Sequence, residues 1–587
     1  MHLRMKNFMP GENTLMVLIA SFIGAGAGLV SILFRSVLEL VHKIIFVNGY
    51  SYAQHGGWHI LLLPLVPICG MILLIPLSLF FPGEINGYGL PKFLRKVNME
   101  GGYIRFRTII LKILSCSLTI GTGNSAGVEG PIALVGGALG SQCGQFFRVS
   151  GERMKIYIAA GSAGAIAAVF NAPIAGVFFA AEIVLLGTYE ISSFSALVVS
   201  SAIATVVSRA YYGESPVFQI PPYHLVSSFA ELPLYMLMGL FMGIIAVLHI
   251  RFFYKTRDLF ANWNIHPQFK PIVGAFLVGL IAIFFPNVMG DGYEYIKIVL
   301  AGHAVLWVMA VLIFLKIAAP PITLGAGGSG GTFAPALFIG AVAGGAFGGV
   351  VHHLFPLHTA AAGAYAAVGV GAFLAASTHS PLTAIFLLFE MTGDYRIIIP
   401  VMLSSIIGTT VAHWLCKDSI DTVDFTREGI DIHEGRETAI MKSIKVGTLL
   451  DEDVNFISEN ANVDQLLKIF SMAKDGFYFP VINETGMMTG IVSLQDVKTV
   501  LHDEKLRCNA TVGKVCARNV IFVTPEDNLY DAMRIFDIKG FDEIPVVEDK
   551  NSPWVLGMLK RRDILEAYHR EVIKRGISAK SCPIKFD

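Results

Sequence analysis

Up to residue 415 the chain alternates long apolar runs with short polar connectors, the longest runs lying near 15–35, 59–81, 232–250, 271–286, 303–318, 333–351 and 396–415. A straight membrane helix needs about 20 apolar residues, so several runs are long enough to span and others fall short. The short ones predict tilted, broken or re-entrant helices, which a bilayer accepts only where protein or a watery cavity satisfies the loose backbone. Beyond Thr426-Arg427-Glu428-Gly429 the long runs stop. Short β-branched segments then alternate with helix-period stretches at 463–473 and 528–538, the pattern of a small α/β unit. The predicted organisation is a membrane domain over 1–430, two repeats of a tail unit over 441–506 and 510–572, and a terminal stretch, 573–587.

Composition agrees with the pattern. With 54% hydrophobic and 15% charged residues and a mean hydropathy of +0.62, the chain is too apolar for an ordinary soluble protein. The formal net charge of zero hides an asymmetry, because acids are sparse between Met99 and His413 and dense after Lys417. Basic connectors such as Lys92/Arg95/Lys96, Arg148/Arg153/Lys155 and Arg251/Lys255/Arg257 are expected on the cytoplasmic side. Seven cysteines without a C-x-x-C pair predict neither a zinc site nor a disulfide framework. The run from Leu15 continues into Phe34-Arg35-Ser36 without a small-residue cleavage site, so it reads as a membrane helix rather than a cleaved signal.

Glu129 is the only acid between Gly101 and Val149. A carboxylate at membrane depth is costly unless paired, protonated or facing water, which makes it a functional candidate. It sits in Gly127-Val128-Glu129-Gly130-Pro131. The glycines allow a free turn and a close approach, and Pro131 suits the first turn of a helix. Such a helix start presents unpaired N–H groups and partial positive charge, a ready anion site. Glu129 would be a tethered anion beside it. The plainer reading is that the glycines permit close helix packing and Glu129 is a structural hydrogen-bonder.

Two motifs recur in order. Gly127-Val-Glu-Gly-Pro131 matches Gly331-Thr-Phe-Ala-Pro335, and 172–182 matches 380–390 with proline and glutamate in register. The offsets are 335 − 131 = 204 and 381 − 173 = 208. A duplicated membrane half with helices broken near the midplane is the pattern of a transporter with its site between the repeats. A third Gly-rich helix start, Gly87-Tyr88-Gly89-Leu90-Pro91, predicts that three N-termini converge. Their lining is backbone N–H, which can replace an anion's hydration without holding it too tightly to leave.

These motifs, together with Phe170-Asn-Ala-Pro173 and Glu390-Met-Thr392, make the membrane region resemble the CLC family of chloride channels and chloride/proton exchangers. The resemblance implies an inverted-repeat fold of up to eighteen helices, a homodimer in lipid, and one pathway per subunit for chloride or a similar monovalent anion. By it, Glu129 matches the gating glutamate that competes with the anion and carries the proton in exchangers. The anion-binding residues it implies are Gly87, Tyr88, Gly89, Val128, Glu129, Gly130, Thr332 and Phe333. Three positions depart from the family pattern. Tyr88 stands where serine is usual, Ile183 where the inner proton-relay glutamate is usual, and Asp421 where a tyrosine hydroxyl usually caps the central ion. An ionised Asp421 would accept hydrogen bonds and repel an anion; otherwise it is a solvated residue just outside the membrane. Proton coupling is therefore expected to be weak or to use another route, through Glu182 or Asp421. A passive voltage- or pH-gated anion channel is the alternative.

The tail repeats too. Phe479-Pro-Val-Ile482 leads to Asp496 as Ile544-Pro-Val-Val547 leads to Asp563, with offsets of 545 − 480 = 65 and 563 − 496 = 67. This resembles a pair of cytoplasmic CBS domains, which implies a site where an adenine nucleotide can bind, with Ser493 on its phosphate side and Asp496 and Asp563 as ribose partners. A dimerisation and gating module that binds nothing is the other reading. A CBS-regulated cation transporter is disfavoured by the acid-free stretch 301–350, since magnesium needs oxygen ligands. No nucleophile–base pair, metal cluster or phosphate loop is visible, so a non-enzyme without a required cofactor or nucleic-acid partner is expected, in a plasma or bacterial inner membrane.

Overall fold

A first series of helices runs α1 (Glu12–Val41), α2 (Leu65–Phe80), α3 (Leu90–Asn98), α4 (Arg107–Gly121), α5 (Glu129–Phe146), α6 (Gly151–Phe170), α7 (Pro173–Phe179) and α8 (Ile191–Tyr212). A second series answers it: α9 (Leu232–Asn262), α10 (Lys270–Phe284), α11 (Tyr293–Leu300), α12 (Leu306–Gly325), α13 (Phe333–Leu354), α14 (Ala362–Thr378), α15 (Pro381–Thr392) and α16 (Ile398–Leu415). The repeat read from two motifs thus extends over the whole membrane unit. The computed structural model describes residues 12–53, 57–149, 151–187, 191–214, 217–218, 231–430, 436–450, 455–472, 478–498, 510–549 and 552–574. Nearly all of the expected terminal stretch 573–587 lies outside the described residues. Two compact units divide the chain, 1–424 and 425–587.

Among the described residues, 8 helices are long and apolar enough to cross a membrane. Others are short, as the broken apolar runs predict. The 12 residues of α15 span only about 18 Å at the helical rise. The cause is local and occurs twice. Asn171 and His379 adopt left-handed backbone (φ 55° for both), and Ala172 and Ser380 are held extended (φ −129° and −127°) before Pro173 and Pro381. A residue before proline is driven out of the helical region, and proline is favoured at a helix start. So α6 breaks from α7 just as α14 breaks from α15.

Small residues bring the long helices into backbone contact. A methyl group on Gly136 would lie 2.3 Å from the Gly161 carbonyl oxygen, and one on Gly340 would lie 2.6 Å from that of Gly369. The α5/α6 and α13/α14 pairs therefore close by the same small-residue device.

The halves also hold each other reciprocally. The Glu390 carboxylate accepts from the Ile174 and Ala175 N–H groups (2.9 and 2.8 Å), at the start of α7. The Glu182 carboxylate accepts from Leu382 N–H (3.1 Å), Thr383 N–H (2.7 Å) and the Thr383 hydroxyl (2.7 Å), at the start of α15. Each half supplies the anion that satisfies the other half's orphan donors. Gly127 and Gly331 likewise exchange N–H···O bonds of 2.8 Å in both directions. Reciprocity of this kind is what a two-fold relation between the halves requires.

In the second unit β3 (Ile457–Ser458), β4 (Tyr478–Ile482) and β5 (Met488–Ser493) form one sheet, β3 parallel and β5 antiparallel to β4. The second repeat pairs β6 (Glu543–Asp549) with β7 (Ser552–Lys560) antiparallel, and a parallel bridge of Val523 to Val546 takes the place of β3. Two apolar cores follow, one around Leu466, Phe479, Val481 and Val492, the other around Leu529, Phe536, Ile544 and Leu559.

Glu182→Ala and Glu390→Ala should each destabilise the membrane unit by about 1–2 kcal/mol, the range for losing a helix cap. The expected readout is a melting temperature a few degrees lower in detergent. Unchanged melting would show that neither helix start needs the cross-repeat carboxylate.

Candidate functional site

Three Gly-rich helix starts meet. Residues 87–88 form β1, which pairs in parallel with β2 (Ser329–Gly330) in the register Gly87 to Ser329 and Tyr88 to Gly330. Gly331, the next residue, bridges to Gly127. These short pairings draw the first turns of α3, α5 and α13 together. Gly87 is left-handed (φ 79°), a conformation that glycine adopts at no steric cost. At Gly127 the constraint is space, because a methyl group there would lie 2.4 Å from a Glu129 carboxylate oxygen.

Glu129 begins α5 and is fully buried (0% exposed). One carboxylate oxygen accepts from the Ala334 N–H at the start of α13 (3.1 Å), and the other from the Tyr293 hydroxyl (2.7 Å) at the start of α11. A helix N-terminus is thus holding a carboxylate supplied by its own chain. Pro131 and Pro335 both lie within the first turn of their helices, where a missing N–H removes no helical bond.

At the residue preceding α13, the Thr332 hydroxyl donates to the Tyr88 oxygen (3.1 Å), and the Tyr88 hydroxyl donates to the Asp421 carboxylate. Asp421 is 2% exposed. That burial excludes the solvated residue of the alternative reading. Its segment is fastened by Ile420 N–H to the Ser377 carbonyl (3.0 Å) and by the Tyr254 hydroxyl to the Ile420 carbonyl (2.8 Å). Phe253 packs edge-on against Tyr88 (5.6 Å), and Phe333 is flanked by Phe170 (5.9 Å) and Phe179 (6.0 Å). Apolar walls around a few convergent polar groups suit a small-ligand site.

Two buried lysines support the loops. Lys112 donates to the Ile85 carbonyl (3.0 Å), just before Gly87, and Lys316 donates to the Val288 and Gly290 carbonyls (2.9 and 3.0 Å), just before Gly292. Beside α3 a cavity of about 90 Å³ is lined by Lys92, Lys96 and Lys112 and by Glu84, which pairs with Arg107. A concave surface dominated by cations concentrates anions.

Residues 69–413 match the family model described as voltage gated chloride channel. The chain belongs to that family. CBS domain models match 446–503 and 512–570. A putative chloride channel protein, ClcB-like, of Ralstonia nicotianae is 32% identical over 406 residues, 68% of this chain and 94% of that protein. An H(+)/Cl(−) exchange transporter, ClcA, of Yersinia pestis is 29% identical, over 73% of this chain and 90% of its own. In fold, a eukaryotic CLC transporter structure superposes with a TM-score of 0.62 at 19% identity, over 93% of this chain and 97% of that one. The architecture of this family member is therefore the CLC fold followed by a CBS pair.

The structure brings Gly87, Tyr88, Gly89, Val128, Glu129, Gly130, Thr332 and Phe333 to one place. Asp421 joins them, whereas the hydrogen bonds of Glu182 all go to the start of α15 and Ile183 is buried beside it. In the tail the Asp496 carboxylate accepts from both the N–H and the hydroxyl of Ser493 (2.8 and 2.7 Å), a capping box on α17 (Leu494–Val497), and Asp563 lies in the first turn of α18 (Arg561–Lys574). Sequence reasoning missed Tyr293, Lys112 and Lys316. The repeat offset could have found them: Gly290-Asp291-Gly292 answers Gly87-Tyr88-Gly89 at 290 − 87 = 203, and Lys316 answers Lys112 at 316 − 112 = 204.

Proposed function

We propose that the protein carries chloride or a similar monovalent anion across a membrane, through a pathway within each subunit of a homodimer, with Glu129 as the gate and protons exchanged for the anion. The observation that carries this reading is the Glu129 carboxylate on the Ala334 N–H. A helix start that accepts a carboxylate offers the same donors to a halide, because both are satisfied by oriented N–H dipoles. When ionised, Glu129 fills the anion's place; when neutral, it leaves and the anion enters. The likeness to a bacterial H(+)/Cl(−) exchange transporter supports proton exchange. Ile183, where the family resemblance leads one to expect the inner glutamate, favours the passive channel as the second reading. Cations are disfavoured by the donor lining and by the acid-free stretch 301–350.

The CBS pair is inferred to lie on the cytoplasmic side and to take an adenine nucleotide, with Ser493 and Asp496 exchanging their mutual bond for bonds to phosphate and ribose, and Asp563 serving the second repeat.

Glu129→Gln should give anion efflux from proteoliposomes several-fold faster than wild type, with a weaker rise on acidification than wild type and proton counter-transport abolished. Rate and pH profile both equal to wild type would make Glu129 a purely structural residue. Tyr293→Phe removes one hydrogen bond to a charged group, about 1.5 kcal/mol, and should shift the balance toward the open gate by about tenfold. Parallel recordings of Tyr293→Phe and wild-type flux at neutral pH check it. In the tail, millimolar ATP, ADP or AMP should raise the melting temperature of the whole protein, and Ser493→Ala with Asp496→Ala should remove that rise. No shift in wild type would leave the tail as a module that binds no nucleotide.

A further inference from the structure

Two carboxylate–tyrosine pairs bear on the first turn of α13. The Ala334 N–H and the Tyr293 hydroxyl hold Glu129, while two residues earlier Thr332 donates to Tyr88 and Tyr88 to Asp421. The first pair belongs to the gate already described. The second joins a residue read as anion-binding, Tyr88, to one read as a possible proton route, Asp421. It lies among the residues that line the proposed pathway, and it consists of a carboxylate and two hydroxyls whose donors all point one way.

The surroundings of Asp421 leave its charge uncompensated. Tyr88 faces it from the start of α3, and Tyr254 faces it from α9 with its hydroxyl on the Ile420 carbonyl. The starts and ends of the other elements packed there present Thr332 and the Ser377 carbonyl. Arg257, farther along α9, is committed to Asp424 (2.6 and 2.8 Å), and Lys112 on α4 donates to Ile85. His249 lies beyond the Phe253 ring, which packs against both it and Tyr88 (6.4 and 5.6 Å). Among the described residues no lysine or arginine pairs with Asp421. A buried carboxylate with a single hydroxyl donor and no cation is poised to exchange a proton rather than to hold a permanent ion pair.

We propose that Asp421 and Tyr88 form a second carboxylate gate and proton station, in series with Glu129, which does the work of the inner glutamate that Ile183 replaces. This rests on the transport reading above. With Asp421 ionised, the Tyr88 hydroxyl is spent on the carboxylate and the negative charge repels an anion from the site. A proton added to an Asp421 oxygen removes the charge and adds a donor, so that the two O–H groups can both turn to the anion. The proton returns to water when the anion leaves. The chain Thr332, Tyr88, Asp421 also runs in one donor direction. A proton added at the Thr332 oxygen emerges at Asp421 as each hydroxyl passes on its own proton and accepts the next. One proton moves, and no hydroxyl is left charged.

Glu129→Gln isolates the second gate, because the first is then permanently neutral. Anion efflux from proteoliposomes at equal pH on both faces should still rise on acidification in Glu129→Gln, by up to about tenfold per pH unit as expected for one titrating group. Glu129→Gln with Asp421→Asn should be flat, and Glu129→Gln with Asp421→Glu should regain the slope. In the otherwise wild-type protein, Asp421→Asn should abolish proton counter-transport and Asp421→Glu should retain it, and an unchanged melting temperature in detergent shows that both variants fold. An unchanged pH slope in Glu129→Gln with Asp421→Asn, or an unchanged proton-to-anion ratio in Asp421→Asn, would overturn the proposal. Absence of anion flux from wild type at every pH would instead defeat the transport reading, and the second gate with it.

Discussion

A carboxylate buried in an apolar slab must find donors, and Glu129 finds them on another helix. Its bond to the Ala334 N–H is possible only because the start of α13 lies against the start of α5, and that approach depends on the Gly127–Gly331 bridge. The glycine at 127 leaves room for the carboxylate itself. A side chain there would separate the two starts and strand both the charge and the backbone donors. The small-residue contacts of α5 with α6 and of α13 with α14 then hold the two helices at that distance.

The same solution recurs across the repeat. Glu182 serves the start of α15 and Glu390 the start of α7, so the membrane unit is laced by carboxylates of one half on helix starts of the other. Helix starts supply backbone donors to these carboxylates, whereas the buried lysines Lys112 and Lys316 turn their amines to carbonyls. What distinguishes Glu129 from Glu182 and Glu390 is therefore not the kind of bond but the number of elements that supply it. Glu182 has three donors from one helix turn, whereas Glu129 has one backbone donor and one from a tyrosine on a different helix. A carboxylate held by two separate elements is freer to leave than one held by a single rigid turn.

At the convergence of helix starts, Tyr88 and Asp421 stand where the family resemblance leads one to expect serine and tyrosine. Their side chains meet. The pair keeps a phenol at the centre while adding a group that can carry a proton. Two buried carboxylates are thereby linked to the start of α13, Glu129 directly through the Ala334 N–H and Asp421 through Tyr88 and Thr332.

Much of this was legible in the residues themselves. The apolar runs, the 204-residue offset and the lone Glu129 between Gly101 and Val149 define a duplicated membrane unit with a candidate gate, because bilayer thickness and the cost of burying charge act on local sequence. The paired Phe479/Ile544 strand patterns did the same for the tail. Tertiary structure decided the partners. Tyr293 lies 164 residues from Glu129, and Tyr88 lies 333 residues from Asp421. No periodicity encodes which hydroxyl reaches which carboxylate at such separations. Whether Asp421 was solvated or buried, and whether Glu182 faced the pathway or capped a helix, likewise turned on how the two halves close around each other, since identical residues in a different closure would have found different donors.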